Sequence, residues 1–497
     1  MELCKEYKSM CANVKKERIC ENFELDFQEN IPQYLDDIEK VFKCSVCNAV
    51  TDYENNGSSI TIYGKSIISI TYLNSDHCPL SNVFEEEFSK SFDIEAPEFF
   101  NFANISLTTK YSNFRLINQR RLDIHTSLNV KIDVYNKNTS KCLSNCKNAF
   151  VKEYDVSYLV NKDSGITGVE YDETFSISNS NSQIKNIINT FGSCIVDECK
   201  IIKDKMLVKL KAEVSVLYQS ENNSIEKCCH SFSVSKIIDL RDAVEDDNAF
   251  VDARFSALYI KSKTDSNNKL CDIEVVGKIS INYMIYSLGN DSFITDSYMV
   301  NYDIQTENIK LPVKTQPIYF FDDKTAEVSF DCEKNVIEIL DLRARIDNCY
   351  IEKSVMYISV CLSYLYYDES SQLCFFEKTE EYSFTVSDNQ LSGEAAANLI
   401  SYDYVLTNTN KVNLRLNFQY KAYLYKSENI MFISDIEAST QKDNANMPQL
   451  TLYFANKDES VWNIAKQFST SMSLIMEENS LSSEVIDDKR ILLVPGM

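Results

Sequence analysis

MLVKLKAEVSVLY (206–218) alternates large apolar residues with smaller or charged ones and ends in Tyr218, the period of a strand with one face in a core and the other in water. Two other stretches repeat the pattern, SSITIYGKSIISITY (58–72) and VMYISVCLSYLY (355–366). Their closing residues Tyr72, Tyr218 and Tyr366 stand 146 and 148 residues apart, a near-constant period that marks an internal repeat. After each comes a polar turn and another strand pattern (SNVFEEEFSKSFDI, IEKCCHSFSVSKIIDL, FFEKTEEYSFTV), which predicts a hairpin.

A second long strand closes each unit: RLDIHTSLNVKIDVY (121–135), CDIEVVGKISINYMIY (271–286) and VNLRLNFQYKAYLY (412–425). In the first, Leu122, Ile124, Leu128, Val130, Ile132 and Val134 share one face, with Asp123, His125, Asn129, Lys131 and Asp133 on the other. Half-buried strands of this kind belong in antiparallel sheets. Ahead of each unit lie a shorter strand pattern (NFELDF, ETFSIS, AEVSFDC) and a stretch of mixed spacing (IPQYLDDIEKVFKCSV, SQIKNIINTFGSC, KNVIEILDLRARI) whose state stays open. The segments near 137–170 and 287–315 are rich in Asn, Asp and Ser and read as loops or linkers. The expected division is repeat 1 over 1–140, repeat 2 over 165–290, repeat 3 over 316–434, a linker at 435–449 and a separate unit at 450–497.

At 497 residues the chain is too long for one core, and 44% hydrophobic residues are enough for folded domains. A net charge of -24 argues against nucleic acid or an anionic bilayer as main partner, since both are held through Lys and Arg. A basic protein surface suits it better. The first residues carry scattered charges and no apolar run of secretion-signal length, and no 18 consecutive apolar residues occur anywhere. The expectation is a cytoplasmic protein with no direct membrane insertion. The 17 cysteines follow no repeating frame and are expected as reduced, mostly buried thiols, for example Cys271 and Cys361.

No nucleophile elbow, phosphate loop or zinc-protease motif is present, and His77, His125 and His230 sit in unrelated contexts. Cys44 and Cys47 have metal-ligand spacing, but the next candidate pair, Cys142 and Cys146, lies far along the chain. A non-enzymatic protein without metal or cofactor is expected.

From 450 the pattern becomes strand (LTLYFA), helix (DESVWNIAKQF), helix (SMSLIMEEN) and strand (ILLVP). Asp458 or Ser460 can cap the first helix, and Val461, Ile464, Ala465 and Phe468 form its apolar stripe. These motifs resemble a LysM domain, with Trp462 at the family's aromatic position and Asn479 at its recurrent Asn. The repeats resemble SPOCS domains, most closely in the first copy through FRLINQRRLDIHTSLNVKIDV (114–134), the other copies having lost the Arg-rich signature. Tandem SPOCS repeats with one C-terminal LysM domain are the layout of the SipL-type spore morphogenetic proteins.

The resemblance implies a mainly β fold, with three antiparallel SPOCS-like repeats and a small βααβ LysM domain. It also implies an adaptor in the mother-cell cytoplasm at the forespore surface or spore coat. Its LysM domain would bind the coat basement-layer ATPase, stage IV sporulation protein A, with other coat proteins as further partners. The LysM groove then consists of Asp458, Glu459, Ser460, Val461 and Trp462 on one side and Glu478, Asn479, Ser480 and Leu481 on the other. In glycan-binding LysM domains the first loop usually begins Gly-Asp-Thr, and a Gly precedes the last strand. Asp458-Glu459-Ser460 and Lys489 stand there instead, which favours a protein ligand over the alternative, a peptidoglycan. Trp462 is either core or an interface anchor.

Overall fold

The computed structural model describes residues 3–95, 102–177, 183–265, 267–332, 334–408, 410–442 and 448–496. The chain is mainly β, with two short helices near its C-terminal end. The first repeat carries β1 (Cys4–Asn30), β2 (Lys40–Asn55), β3 (Ser59–Leu73), β4 (Pro79–Asp93), β5 (Phe102–Asn118) and β6 (Arg121–Lys147). The second carries β7 (Phe150–Ser176), β8 (Ile184–Ile202), β9 (Lys205–Ser220), β10 (Ile225–Asp239), β11 (Asn248–Thr264) and β12 (Leu270–Tyr298). The third carries β13 (Tyr302–Asp331), β14 (Val336–Glu352), β15 (Val355–Asp368), β16 (Leu373–Thr385), β17 (Ser392–Asn408) and β18 (Lys411–Gln441).

Each repeat folds into the same two-sheet sandwich. In the first, β2, β3 and β4 form an antiparallel meander with β3 in the middle, facing a sheet in which β6 lies between β1 and β5. The second repeats this strand for strand with β8-β9-β10 against β11-β12-β7, and the third with β14-β15-β16 against β17-β18-β13. Period two explains the central positions, because a middle strand is buried on one whole face. Leu122, Ile124, Leu128, Val130, Ile132 and Val134 on β6 are all buried, as are Val412, Leu414, Leu416, Phe418, Tyr420, Ala422 and Leu424 on β18. The repeating Tyr72, Tyr218 and Tyr366 are buried too. Most of the second and third mixed-spacing stretches proves to be strand, in β8 and β14, whereas in the first only the part from Lys40 enters β2 and Ile31 and Ile38 sit in a turn-rich segment ahead of it.

The segments read as loops are corrected by the structure. Residues 137–170 and 287–315 lie mostly in strand, and the expected linker begins inside β18; its residues 443–447 fall outside the described set. The pairs β1/β6, β7/β12 and β13/β18 run beyond their sandwiches as two-stranded ribbons. Each ribbon leaves its sandwich at a register slip, at Lys15/Glu17, Ile285/Tyr286 and Thr315/Ile318 respectively. The ribbons pack on one another through Met10, Cys142, Val156, Phe293, Leu311 and Phe432, so every ribbon strand contributes to one shared core. Their outer faces are wet, and that is why the sequence there is Asn-, Asp- and Ser-rich.

The repeats therefore form one body. Ser81 donates to the Ile187 carbonyl at 2.8 Å, Asn104 to the Glu394 carboxylate at 3.0 Å, and Arg343 to the Ser215 hydroxyl at 2.7 Å, so each sandwich touches both others. All three turn the same edge strands (β2 and β5, β8 and β11, β14 and β17) toward a common chamber of about 1750 Å³.

Candidate functional site

The C-terminal unit contains β19 (Leu450–Ala455), α1 (Val461–Gln467), α2 (Met472–Glu478) and β20 (Arg490–Pro495), with β19 and β20 antiparallel. Its core is Val461, Ile464, Ala465, Ile475, Ile486, Leu492 and Val494. Ser460 occupies the position that starts α1, but its side chain makes no capping hydrogen bond. Asp458 does not cap the helix either: it stands at a φ of 64°, and its N–H donates to the Ile486 carbonyl at 2.8 Å. The loop is held instead by backbone pairing, with the Val461 N–H on the Glu484 carbonyl at 2.9 Å and a bridge between Ser460 and Val485.

The sequence-predicted groove residues separate into two groups. Asp458 and Ser480 are exposed on the two loops and Glu478 at the end of α2, while Ser460 and Leu481 are half-buried and Val461 is in the core. Glu459 is turned inward: its carboxylate accepts the Tyr453 hydroxyl at 2.5 Å and the Asn456 N–H at 2.9 Å. Asn479 is a clamp. Its amide donates to the carbonyls of Ile475 (2.8 Å) and Leu493 (2.7 Å) and accepts the Leu493 N–H (2.7 Å), tying the end of α2 to β20. Replacing Asn479 with Ala leaves three backbone groups without this partner and should destabilise the C-terminal unit by about 1–3 kcal/mol, read as a lower urea midpoint for its transition.

Trp462 faces the rest of the chain. It is 6% exposed, its indole N–H donates to Asp296 at 2.8 Å, and its ring meets Tyr298 edge-on at 5.0 Å. Lys466 also reaches Asp296, at 2.6 Å, and the Tyr298 hydroxyl donates to the Thr470 carbonyl at 2.8 Å. Burial pushes the Asp296 carboxyl up, but the bonds from Lys466 and Trp462 outweigh it and hold it below the usual aspartate range. Asp296 and Tyr298 lie at the tip of the β7/β12 ribbon, so the C-terminal unit is docked on the ribbon stem. In this structure Trp462 is therefore not open to a partner, as the groove expectation required, but taken up by Asp296 and Tyr298 of its own chain.

The outward face of the β19/β20 sheet was missed. Leu450 (51%), Leu452 (64%) and Phe454 (73%) on β19 and Ile491 (54%) on β20 are all largely exposed and share one face, with Ile491 directly opposite Phe454. LTLYFA carried the signal, since it has apolar residues on both faces and only one can pack on two helices.

Elsewhere the chemistry-bearing residues stay apart. His77 lies near Glu39 at 3.3 Å, His125 pairs with Asp26 at 2.7 Å, and His230 stacks on Phe175 at 4.4 Å. Cys44 and Cys47 line the chamber, whereas Cys142 and Cys146 are buried in the stem. Among the described residues no helix is long and apolar enough to cross a membrane.

With sandwiches and docked unit in place, the molecule is a modular, mainly β protein that carries a small two-helix unit after its three sandwiches. Residues 183–263 match the family described as SipL, SPOCS domain, and residues 456–495 match the LysM domain, the composition of a SipL-type protein. No curated protein and no solved structure gives a significant match. The SPOCS match falls on β8 to β11 of the second repeat, not on the first copy where the Arg-rich motif stands. In the first copy Arg120 donates to the Pro32 and Leu35 carbonyls at 2.7 and 3.0 Å, so that motif does local work in pinning the turn before β2. These are the domains of a sporulation protein with a LysM module.

Proposed function

We propose that this protein is a non-enzymatic adaptor of endospore coat assembly. It works in the mother-cell cytoplasm at the forespore surface, and its LysM domain binds the coat basement-layer ATPase, stage IV sporulation protein A. The observation that carries the reading is the apolar sheet face of Leu450, Leu452, Phe454 and Ile491, turned away from the LysM core. A contiguous apolar face on so small a domain is characteristic of a surface that meets protein. It lends no support to a polar glycan. The groove edges that would bracket a glycan carry the exposed acids Asp458 and Glu478, and two further groove residues, Glu459 and Asn479, are committed to internal bonds. The competing reading is peptidoglycan binding, the ligand that LysM kinship by itself suggests.

The test is binding of the full chain to immobilised stage IV sporulation protein A, with co-sedimentation on insoluble peptidoglycan alongside. Saturable binding to the ATPase is expected, and Phe454→Asp should weaken it at least about 30-fold while the fold is retained, as expected for loss of a buried aromatic anchor. Co-sedimentation with peptidoglycan together with no binding to the ATPase would replace the adaptor reading with a wall-directed one.

A further inference from the structure

The chamber between the three sandwiches has a charge unlike the rest of the chain. The whole sequence has 50 Lys and Arg against 74 Asp and Glu, whereas the chamber wall has ten against eight. Three of its arginines are neutralised one-to-one by aspartates: Arg18 with Asp133 at 2.7 Å, Arg254 with Asp252 at 3.1 Å and Arg345 with Asp347 at 2.7 Å. The lysines on the stem side are not. Lys314 projects over the rings of Tyr425 at 4.4 Å and Tyr135 at 5.2 Å, and Lys131 lies 6.0 Å from the ring of Tyr350. Among the described residues neither makes an ion pair. Glu394, whose carboxylate also accepts the Asn104 amide at 3.0 Å, stands near both without an ion-pair contact, and Asp133, paired with Arg18, stands near Lys314.

A ring face attracts an ammonium without neutralising it, so the loss of hydration is only partly offset. Burial accordingly pushes the Lys314 ammonium down to about 8 and the Glu394 carboxyl upward. Of the two shifts, that of Glu394 leaves this end of the chamber shorter of negative charge, while Lys314 stays mostly protonated at neutral pH, inside walls that weaken solvent screening. The open edges of β2, β5, β8, β11, β14 and β17 add backbone groups without a strand partner on that side.

We infer that the chamber is a binding site for a small polyanion, a molecule carrying two or more phosphate or carboxylate groups, held by Lys314 and Lys131. This site is independent of the LysM reading. Titration calorimetry on the full chain at low ionic strength, with inorganic pyrophosphate and with citrate as probes, tests it. Saturable uptake of at least one anion is expected, weakened tenfold or more by Lys314→Gln and by Lys131→Gln and unchanged by the surface control Lys489→Gln. Uptake of pyrophosphate alone assigns phosphate chemistry, and uptake of citrate alone assigns carboxylate chemistry. No uptake of either at millimolar concentration overturns the site, as does a loss in Lys489→Gln equal to that in Lys314→Gln. Should Lys314→Gln lower the melting temperature, Lys131→Gln carries the comparison.

Discussion

Phe432→Ala should destabilise the chain by about 4 kcal/mol, within the usual cost of emptying a buried aromatic site, and should loosen all three repeats together. Phe432 is fully buried in β18, its ring 5.3 Å from that of Phe293 in β12, in a cluster that also takes Met10 from β1, Cys142 from β6, Val156 from β7 and Leu311 from β13. The loss has two parts: the transfer of the ring, and a cavity that flat ribbons held at their far ends by sandwiches cannot close. Repeats joined like beads would confine the damage to residues 302–441. One shared core spreads it. Urea unfolding followed by backbone circular dichroism should give a lower midpoint. Amide exchange should show protection lost at Val156 and Cys142 as well as at the neighbouring Ile433. Exchange that speeds up only in the third repeat would refute the shared stem.

How much of this was legible in sequence follows from burial. The strands β3, β9 and β15 and the sandwich portions of the middle strands β6, β12 and β18 are buried on one whole face, so an alternation of period two runs through them and could be read directly. The ribbons offer no such run. In NKNTSKCLSNCK (136–147) only Cys142, Leu143 and Cys146 are apolar, and much of their packing surface (Met10, Phe293, Ile294, Leu311, Phe432, Ile433) comes from ribbon strands more than a hundred residues away. Polar composition then mimics a loop, although every one of those residues is extended. The LysM unit was legible because its strand, helix, helix and strand are local. Its dock was not, since Trp462 and Asp296 are 166 positions apart. For the same reason the groove residues carried over by resemblance included Glu459 and Asn479, whose polar atoms the structure commits to their own domain.

Asp296→Ala should release the LysM domain from the stem without unfolding either part. The carboxylate accepts the indole N–H of Trp462 and the ammonium of Lys466, while the Lys442 ammonium makes a second charged bridge, to the Met299 carbonyl at 3.1 Å and the Ser469 hydroxyl at 2.8 Å. A hydrogen bond to a charged group contributes about 1.5–3 kcal/mol, and the partly exposed Lys466 pair adds little. Loss of about 2 kcal/mol shifts the docked population roughly 30-fold. Trp462 is the only Trp in the chain, so its fluorescence reports this event alone. The emission should move to the red in the variant, while the strand signal in circular dichroism stays. Acid should reproduce the effect in the unaltered protein. Because the docked Asp296 has a lowered pKa, its contribution is complete above the ordinary aspartate value of about 3.9 and is lost as pH falls through the lower docked value. The red shift should therefore begin only below about pH 4, and Asp296→Ala should abolish the pH dependence. An emission spectrum identical in variant and parent at neutral pH would mean that the indole is held by its own domain and that the ribbon tip does not fix the LysM domain in place.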